Sequence, residues 1–327
     1  MSEPYILVRS LGRKCGMAEY AGFLAERLPG KLVGSVTDLP LQRDRAGIVI
    51  VQVEVGLYNF DLYEILWEMW AARHRGYLVV ADYASEPNEC RGWSQEIAKY
   101  SILGPKYWEL NSVCLPLVRC NPLAEQDAGP PSEIKLGTFG FASPVKKHEE
   151  IARLAIRLGV KALIISTVPN PWPGFEEGPH RQVPLDALNE IRQMAELYPD
   201  RIELIDSGYL TIPEVQTKLR ECTHLVSAMD NLTANWGPSG SLRTMATVGR
   251  PLIALNSQRA AEVDATLVTS FDEITLDFLQ KNTSAPNIKK IGDGLWAYKN
   301  LLRWIETAIF FKRQLINPSG GLLHVSG

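Results

Sequence analysis

Short apolar runs alternate with amphipathic segments along most of this chain, and that alternation restricts the possible fold more than any other feature. The run GIVIVQV at 47–53 is continuous and largely β-branched, which is typical of a strand buried on both faces of a parallel sheet. The segment MAEYAGFLAERL at 17–28 places its apolar residues on one helical face. Strands that alternate with helices in this way predict an α/β fold built on parallel sheets.

The alternation is interrupted once and then restarts. The polar segment AEQDAGPPSE at 124–133 contains Gly129, Pro130 and Pro131 and is the best linker candidate. Before it, strands are predicted at 5–8, 47–53, 77–83 and 112–118, with helices at 17–28 and near 60–74. After it, strands are predicted at 134–141, 161–167, 201–206, 224–229 and 251–255, with helices at 146–158, 184–197, 212–222 and 239–249. We therefore predict two Rossmann-like, doubly wound domains that face a cleft.

Length and composition agree with two globular domains in a reducing compartment. A chain of 327 residues is long for one core, and its 46% apolar and 22% charged residues are ordinary for a globular protein. The net charge of −3 gives no global basic field for nucleic acid or anionic membrane, although a local basic face stays open. Five cysteines without a CxxC pair favour reduced thiols and a cytoplasmic location.

Neither end of the sequence resembles a membrane signal. The first ten residues lack the basic and apolar regions of a signal peptide. The apolar segment at 295–316 carries charged residues, among them Lys299, Arg303 and Glu306, which make it a poor transmembrane span. We expect no transmembrane segment.

Two loops near predicted helix starts carry basic residues where a helix dipole is already positive. Lys146 and Lys147 follow the strand at 134–141, and Arg243 follows the turn that contains Ser239, Gly240 and Ser241. Cations at such positions are unfavourable unless an anion is bound. In the functional interpretation, the two loops bind one phosphate-rich ligand between them. A solvated lysine and ordinary helix capping are the alternatives.

Other candidate residues follow strands in the first predicted domain. Gly12 and Gly16 lie between the first strand and helix, where backbone N–H groups can approach an anion, or where they form a plain turn. Glu54 and Asp82 come at the ends of two strands and are predicted to face the cleft, with a cap or a salt bridge as the alternative. The sequence around His148 suggests no catalytic or metal-binding partner for it, so this histidine is expected to be structural.

Together these segments resemble the GT-B glycosyltransferases, specifically the family-4-like retaining enzymes with a GIAEY-type start. The segment CGMAEYAGFLAERL is similar to their first loop and helix, VQVEVGLY to their QHExG segment, and LGTFGFASPVKKHEE to their GTFGFxSPxKG segment. The stretches at 207–229 and 237–253 are similar to the core of their donor domain. The order of the segments is more specific than any one of them.

The resemblance implies that the two domains bind different substrates. Residues 1–124 would bind the acceptor, 134–290 would bind a UDP- or GDP-linked sugar, and a helix at 291–316 would cross back onto the first domain. The donor diphosphate would contact Lys146, the turn of Ser239, Gly240 and Ser241, and Gly16. No metal and no further cofactor would be needed, because Lys146 and the helix dipoles supply the positive charge.

The chain differs from this family at the positions that usually bind the sugar and the ribose of the donor. The two glutamates of the family's donor site correspond to Trp236 and Thr244, and the histidine of QHExG corresponds to Val53 beside a retained Glu54. The histidine that contacts the transferred sugar corresponds best to Tyr83, next to Asp82.

Two functional interpretations follow from this pattern. In the first, the protein is a glycosyltransferase with altered recognition, in which Trp236 stacks on a sugar or base and Thr244 contacts the ribose. Arg243 would assist Lys146 at the diphosphate, Glu54 or Asp82 would orient an acceptor hydroxyl, and nucleic acid is not excluded as the acceptor. In the second, it is a catalytically degenerate scaffold that binds a ligand or a partner.

Overall fold

The structure, a computed structural model, divides into two compact units. It describes residues 3–13, 15–28, 30–42, 47–53, 58, 61–83, 92–101, 133–170, 178, 181–229, 239–255, 260 and 263–286. Of these, the first unit comprises 3–11 and 24–101, and the second comprises 12–23 and 133–286. The predicted strand at 112–118, the helix at 291–316 and all of the predicted linker except Glu133 lie outside the described residues. The domain boundaries therefore stay a prediction.

A parallel sheet organises the N-terminal part of the chain. Its strands are β1 (Tyr5–Leu7), β2 (Lys31–Val33), β3 (Gly47–Val53) and β4 (Tyr77–Tyr83), in the order β2-β1-β3-β4. The helices are α1 (Gly16–Arg27), α2 (Leu62–His74) and α3 (Trp93–Ala98), with a 3-10 turn at Val36–Asp38. Every residue of β3 is buried, which agrees with its largely apolar sequence. All described strand pairs in this sheet are parallel.

The second unit contains a larger parallel sheet. Its strands are β5 (Lys135–Phe141), β6 (Lys161–Thr167), β7 (Ile202–Ile205), β8 (His224–Ser227), β9 (Leu252–Leu255) and β10 (Thr266–Val268). Its helices are α4 (His148–Leu158), α5 (Gln182–Leu197), α6 (Ile212–Leu219), α7 (Gly240–Ala246) and α8 (Leu276–Lys281), with a 3-10 turn at Phe271–Glu273. The described strands run in the order β10-β9-β8-β5-β6-β7. The predicted class, α/β with two parallel sheets, is confirmed.

Local sequence explains where the helices of the second unit begin and end. Helix α6 begins at a capping box, in which the Thr211 hydroxyl accepts from Glu214 N and the Glu214 carboxylate accepts from Thr211 N. Helix α4 ends at Gly159, whose φ of +67° lies in the left-handed region that glycine tolerates. Apolar side chains of these helices pack in two clusters, one containing Ile151 and Ile191 and the other Val215 and Met245.

The strand order of the second sheet creates a crevice beside β5. From β5 the chain moves one way to β6 and β7, and later fills the other side with β8, β9 and β10. The loops that follow β5 and β8 therefore leave the carboxyl edge of the sheet in opposite directions. Ligand sites in open α/β sheets form at such switch points, and these two loops carry the lysines and serines singled out in the sequence.

Several short elements were not predicted. Strands β2 and β10 have three residues each, too few for a hydrophobic period to be visible. Within the described ranges, no helix is long and apolar enough to cross a membrane.

Candidate functional site

Lys146 is the centre of the candidate site. Its ammonium lies 2.5 Å from the Ser241 hydroxyl and 3.1 Å from the Ser239 hydroxyl, and it contacts the Met229 sulfur at 3.2 Å. The lysine follows β5, whereas the serines precede and begin α7 after β8. The switch point of the sheet thus brings together residues that are far apart in the sequence, as the anion-site interpretation expected.

The two serines are held by the start of α7 and by each other. The Ser239 hydroxyl accepts a hydrogen bond from Leu242 N at 3.3 Å, and it lies 3.0 Å from the Ser241 hydroxyl. This confirms Ser239 as the N-cap residue of the helix. Helix α7 has only seven residues, so the positive charge at this point comes chiefly from Lys146.

Backbone geometry around Lys146 is unusual on both sides. Gly140 has a φ of +157°, and a Cβ added there would lie 3.3 Å from Lys146 Cε and 3.4 Å from Ser241 Cβ. Lys147 adopts φ +47° and ψ +43°, a left-handed conformation that costs a non-glycine residue about 1–2 kcal/mol. Strained residues of this kind often mark ligand-binding loops, and this one adjoins the central lysine.

His148 is structural, as the sequence predicted. Its side chain is buried at the start of α4, and its Nδ1 atom lies 3.1 Å from the Ser166 hydroxyl on β6. Burial, with a smaller contribution from the positive charge of Lys146, lowers the pKa of His148 to about 3. The imidazole is therefore neutral at physiological pH and adds no charge to the site.

A cavity opens beside Lys146 within the second unit. It encloses about 880 Å³ when its open mouth is counted. Five residues predicted for the site line it: Gly16, Lys146, Gly240, Ser241 and Thr244. Apolar side chains of Leu210, Ile212 and Val215 line it as well. The cavity thus combines a cationic, hydroxyl-bearing part with an apolar part.

Glu19 and Tyr209 also line the cavity, and sequence reasoning missed both. The Tyr209 hydroxyl donates a hydrogen bond to the Glu19 carboxylate, and the Tyr209 ring stacks on Phe141 with centroids 6.2 Å apart. Glu19 belongs to the GMAEY segment that supported the resemblance, and its position in the first turn of α1 was the available signal. Tyr209 lies in a loop that follows β7, within the stretch 207–229 that supported the resemblance, but nothing in that stretch marked the tyrosine itself.

Thr244 and Arg243 differ in their relation to the cavity. Thr244 lines it, but its hydroxyl donates a hydrogen bond to Gly240 O at 3.0 Å. Arg243 has a buried side chain in α7, 4% exposed, and does not contribute to the described lining. The predicted contact between Arg243 and a phosphate stays a prediction that this placement does not favour.

Asp82, one of the two predicted acceptor-side residues, lies in the first unit. Asp82 is inside β4 rather than beyond it, and only 5% of it is exposed. Its carboxylate accepts a hydrogen bond of 2.8 Å from Gln52 Nε2 on β3, and the two residues are register partners in the sheet. Glu54, Trp236 and the side chain of Tyr83 lie outside the described residues. In the described part of the chain, no group of three His, Cys, Asp or Glu residues could hold a metal ion.

Comparison with solved structures identifies the fold. Anabaena Alr3699/HepE in complex with UDP-glucose superposes with a TM-score of 0.57 at 10% identity, over 93% of this chain and 99% of that one. AviGT4, a glycosyltransferase involved in avilamycin A biosynthesis, superposes with a TM-score of 0.50 at 12% identity, over 98% and 99%. The fold is of the GT-B glycosyltransferase type.

Other similar structures align with this chain over a smaller fraction of their own length. A trehalose-6-phosphate synthase has a TM-score of 0.50 at 12% identity, over 84% of this chain and 75% of that one. This GT-B chain spans only 56% and 55% of two TarM structures, one of them from S. aureus, at 12% and 13% identity and TM-scores of 0.48 and 0.49. No protein-family model matches the sequence, and no curated protein matches it either.

Proposed function

We propose that the protein transfers a sugar from a nucleotide-sugar donor to an acceptor hydroxyl. The observation that carries this proposal is the convergence of Lys146 with the hydroxyls of Ser239 and Ser241 beside an open cavity. A fixed ammonium with adjacent hydroxyl groups is suited to a diphosphate. The GT-B fold supports the same assignment, because solved proteins of this fold include Alr3699/HepE with UDP-glucose.

The second part of the cavity is suited to the nucleoside. Leu210, Ile212 and Val215 offer apolar surface to a base, while Lys146 and Ser241 would bind the phosphates. Gly16 and Gly240 also line the cavity, and their lack of a side chain permits a close approach of the ligand to the backbone. The donor is UDP- or GDP-linked in this proposal.

The proposed chemistry is substitution at the anomeric carbon with retention and without a metal. The bond from the anomeric carbon to the diphosphate oxygen breaks, and Lys146 stabilises the charge that develops on the leaving group. The acceptor hydroxyl forms the new bond on the same face, and its proton passes to the leaving diphosphate. The trehalose-6-phosphate synthase with a similar fold is described as acting with retention.

The acceptor side of the proposal rests on the sequence. We assign residues 1–124 to acceptor binding, 134–290 to donor binding, and 291–316 to a helix that crosses back onto the first domain. Glu54 or Asp82 would orient the acceptor hydroxyl. Asp82 can do so only if the acceptor shares or replaces its hydrogen bond with Gln52, because the carboxylate is almost fully buried.

A calorimetric and thermal-shift screen tests the proposal. Uridine and guanosine diphosphates and their sugar conjugates are compared with inorganic pyrophosphate, and a ligand of the folded state must raise the melting temperature. Bound nucleotide sugars are then assayed for hydrolysis and for transfer to hydroxyl acceptors. Nucleotide binding with turnover supports a transferase, and binding without turnover supports a degenerate scaffold. The absence of binding by every nucleotide would contradict the transferase and would leave only a scaffold that binds a partner or another ligand.

Trp236 provides a second test that separates these two functions. If it stacks on the donor, Trp236→Ala removes a contact worth about 1–3 kcal/mol in other aromatic–base pairs. We then expect weaker donor binding and lost turnover. Under the scaffold interpretation, Trp236→Ala lowers the melting temperature or strengthens nucleotide binding. An unchanged donor affinity would remove Trp236 from the proposed site.

A further inference from the structure

The cavity contains a carboxylate to which the proposed donor chemistry assigns no role. Among its described lining residues, Glu19 is the only acidic one, and it shares the cavity with Lys146. A carboxylate repels the negative phosphates of a donor. Glu19 must therefore face an uncharged part of any bound nucleotide sugar, one that offers hydrogen-bond donors.

Glu19 is held in place by two aromatic residues. The Tyr209 hydroxyl donates to the Glu19 carboxylate, and the Tyr209 ring is braced by nearly parallel packing against Phe141, with an interplanar angle of 19°. The backbone of Glu19 is fixed as well, because its N–H donates to Cys15 O at 3.2 Å. An ionised carboxylate has about four acceptor positions, so it can accept several hydrogen bonds at the same time.

The neighbours of Tyr209 place this carboxylate near the nucleoside part of the donor. Leu210 and Ile212 follow Tyr209 in the chain and line the apolar part of the cavity. A ribose is the hydroxyl-bearing group that joins a base to a diphosphate, so it must lie between the apolar part and Lys146. Its 2′ and 3′ hydroxyls form a vicinal pair, which a carboxylate accepts through both oxygens.

Thr244 does not supply an equivalent acceptor. It lies where the family resemblance places a glutamate that binds the ribose, but its hydroxyl, which donates to Gly240 O, can accept only as a neutral oxygen without the charge of a carboxylate. We propose that Glu19, oriented by Tyr209, accepts the ribose hydroxyls of the donor and makes this site selective for ribonucleotides. The inference rests on the proposed function, since it assigns a specificity-determining residue to the same cavity.

Calorimetry with matched nucleotides tests the inference. Wild type and Glu19→Gln are titrated with UDP, GDP and their 2′-deoxy counterparts, and with inorganic pyrophosphate. We expect wild type to prefer the ribonucleotide by about tenfold, as for loss of a hydrogen bond to a charged group. The preference should disappear in Glu19→Gln, while pyrophosphate, which has no ribose and is no longer repelled by the carboxylate, should not bind more weakly. Glu26→Gln, an exposed site on the same helix, is the control and should keep the preference.

Tyr209→Phe distinguishes positioning from binding. It keeps the carboxylate but removes the hydrogen bond that orients it, so the preference for ribonucleotides should shrink without disappearing. A melting temperature within the range of the Glu26→Gln control shows that either variant is folded. A variant that is destabilised is measured at a lower temperature, at which it is folded.

The possible failures point to different conclusions. If wild type binds no nucleoside diphosphate, the proposed function fails. If wild type binds UDP or GDP but does not prefer it over the deoxy form, or if Glu19→Gln keeps the preference, only the inference fails. A vicinal hydroxyl pair is also present on the transferred sugar. If Glu19→Gln weakens UDP-glucose relative to UDP and leaves the ribose preference intact, the assignment to ribose is overturned.

Discussion

Lys146 Nζ donates a hydrogen bond of 2.5 Å to the Ser241 hydroxyl, joining two residues that are 95 positions apart in the sequence. The Ser239 hydroxyl also accepts from this ammonium, at 3.1 Å. The charge is therefore oriented by protein groups that belong to two different loops of the second sheet. A cation fixed in this way stabilises a developing negative charge without a large reorganisation of the site.

Replacing Lys146 by alanine should weaken the binding of nucleoside diphosphates. Loss of a charge-assisted hydrogen bond costs about 1.5–3 kcal/mol, or about a 10- to 150-fold increase in the dissociation constant. Isothermal titration calorimetry measures this change. Lys281→Ala is the matched control, because Lys281 is 75% exposed and pairs with Asp277 on the surface. Equal affinities for the two folded variants would show that Lys146 does not bind the ligand.

Gly140→Ala should disturb the same site from the backbone side. The new Cβ would approach Lys146 Cε to 3.3 Å and force a φ that alanine rarely adopts. Crowding of a packed site usually costs about 1–3 kcal/mol, so we expect a lower urea midpoint and weaker nucleotide binding. In Gly22→Ala the new Cβ meets no atom within 4 Å, and this helix substitution should be neutral or stabilising. A Gly140→Ala variant as stable as Gly22→Ala would contradict the prediction.

The sequence predicted the sheet cores and the proximity of two candidate loops, for identifiable physical reasons. The runs 48–51 and 162–165 are apolar throughout because parallel strands are buried on both faces. The proximity of Lys146 to Ser241 followed from topology, because both residues follow strands at the carboxyl edge of one sheet. Neither inference needed knowledge of a particular side-chain contact.

The rest of the site depends on contacts that a linear pattern does not encode. Glu19 meets Tyr209 across 190 positions of sequence, and no periodicity links two such residues. Asp82 was predicted to face a cleft because it lies near a strand end. In the structure it is held by Gln52, its register partner on β3, and strand register is fixed only when the sheet forms.

His148 should make the protein less stable in mild acid. Its pKa is lowered to about 3 in the folded state from 6.5, so the unfolded chain binds more protons between these values. The stabilisation is complete above pH 6.5 and is lost as pH falls towards 3. Between pH 7 and pH 5, wild type should lose about 2 kcal/mol through this group. Urea unfolding of wild type and His148→Gln at both pH values measures the difference. If both proteins lose the same free energy of unfolding between pH 7 and pH 5, the prediction is contradicted.

Tyr58 and Glu68 form a buried pair in the first unit, and their substitutions should not be additive. The Tyr58 hydroxyl donates to the Glu68 carboxylate at 2.5 Å, both side chains are buried, and burial raises the pKa of Glu68. Tyr58→Phe leaves the carboxylate without this donor and should cost about 1–3 kcal/mol. Arg9 then remains as its charged neighbour at 3.6 Å.

The double variant Tyr58→Phe/Glu68→Met removes both partners and replaces them with apolar groups of similar size. Because no buried carboxylate is then left without the tyrosine hydroxyl, it should be more stable than the sum of the single effects predicts, by about 0.5–3 kcal/mol. Arg9 keeps its ion pair with Glu64 at 2.5 Å in this variant. Urea unfolding of the four proteins gives the coupling energy. Strictly additive effects would mean that the hydrogen bond between Tyr58 and Glu68 contributes nothing to stability.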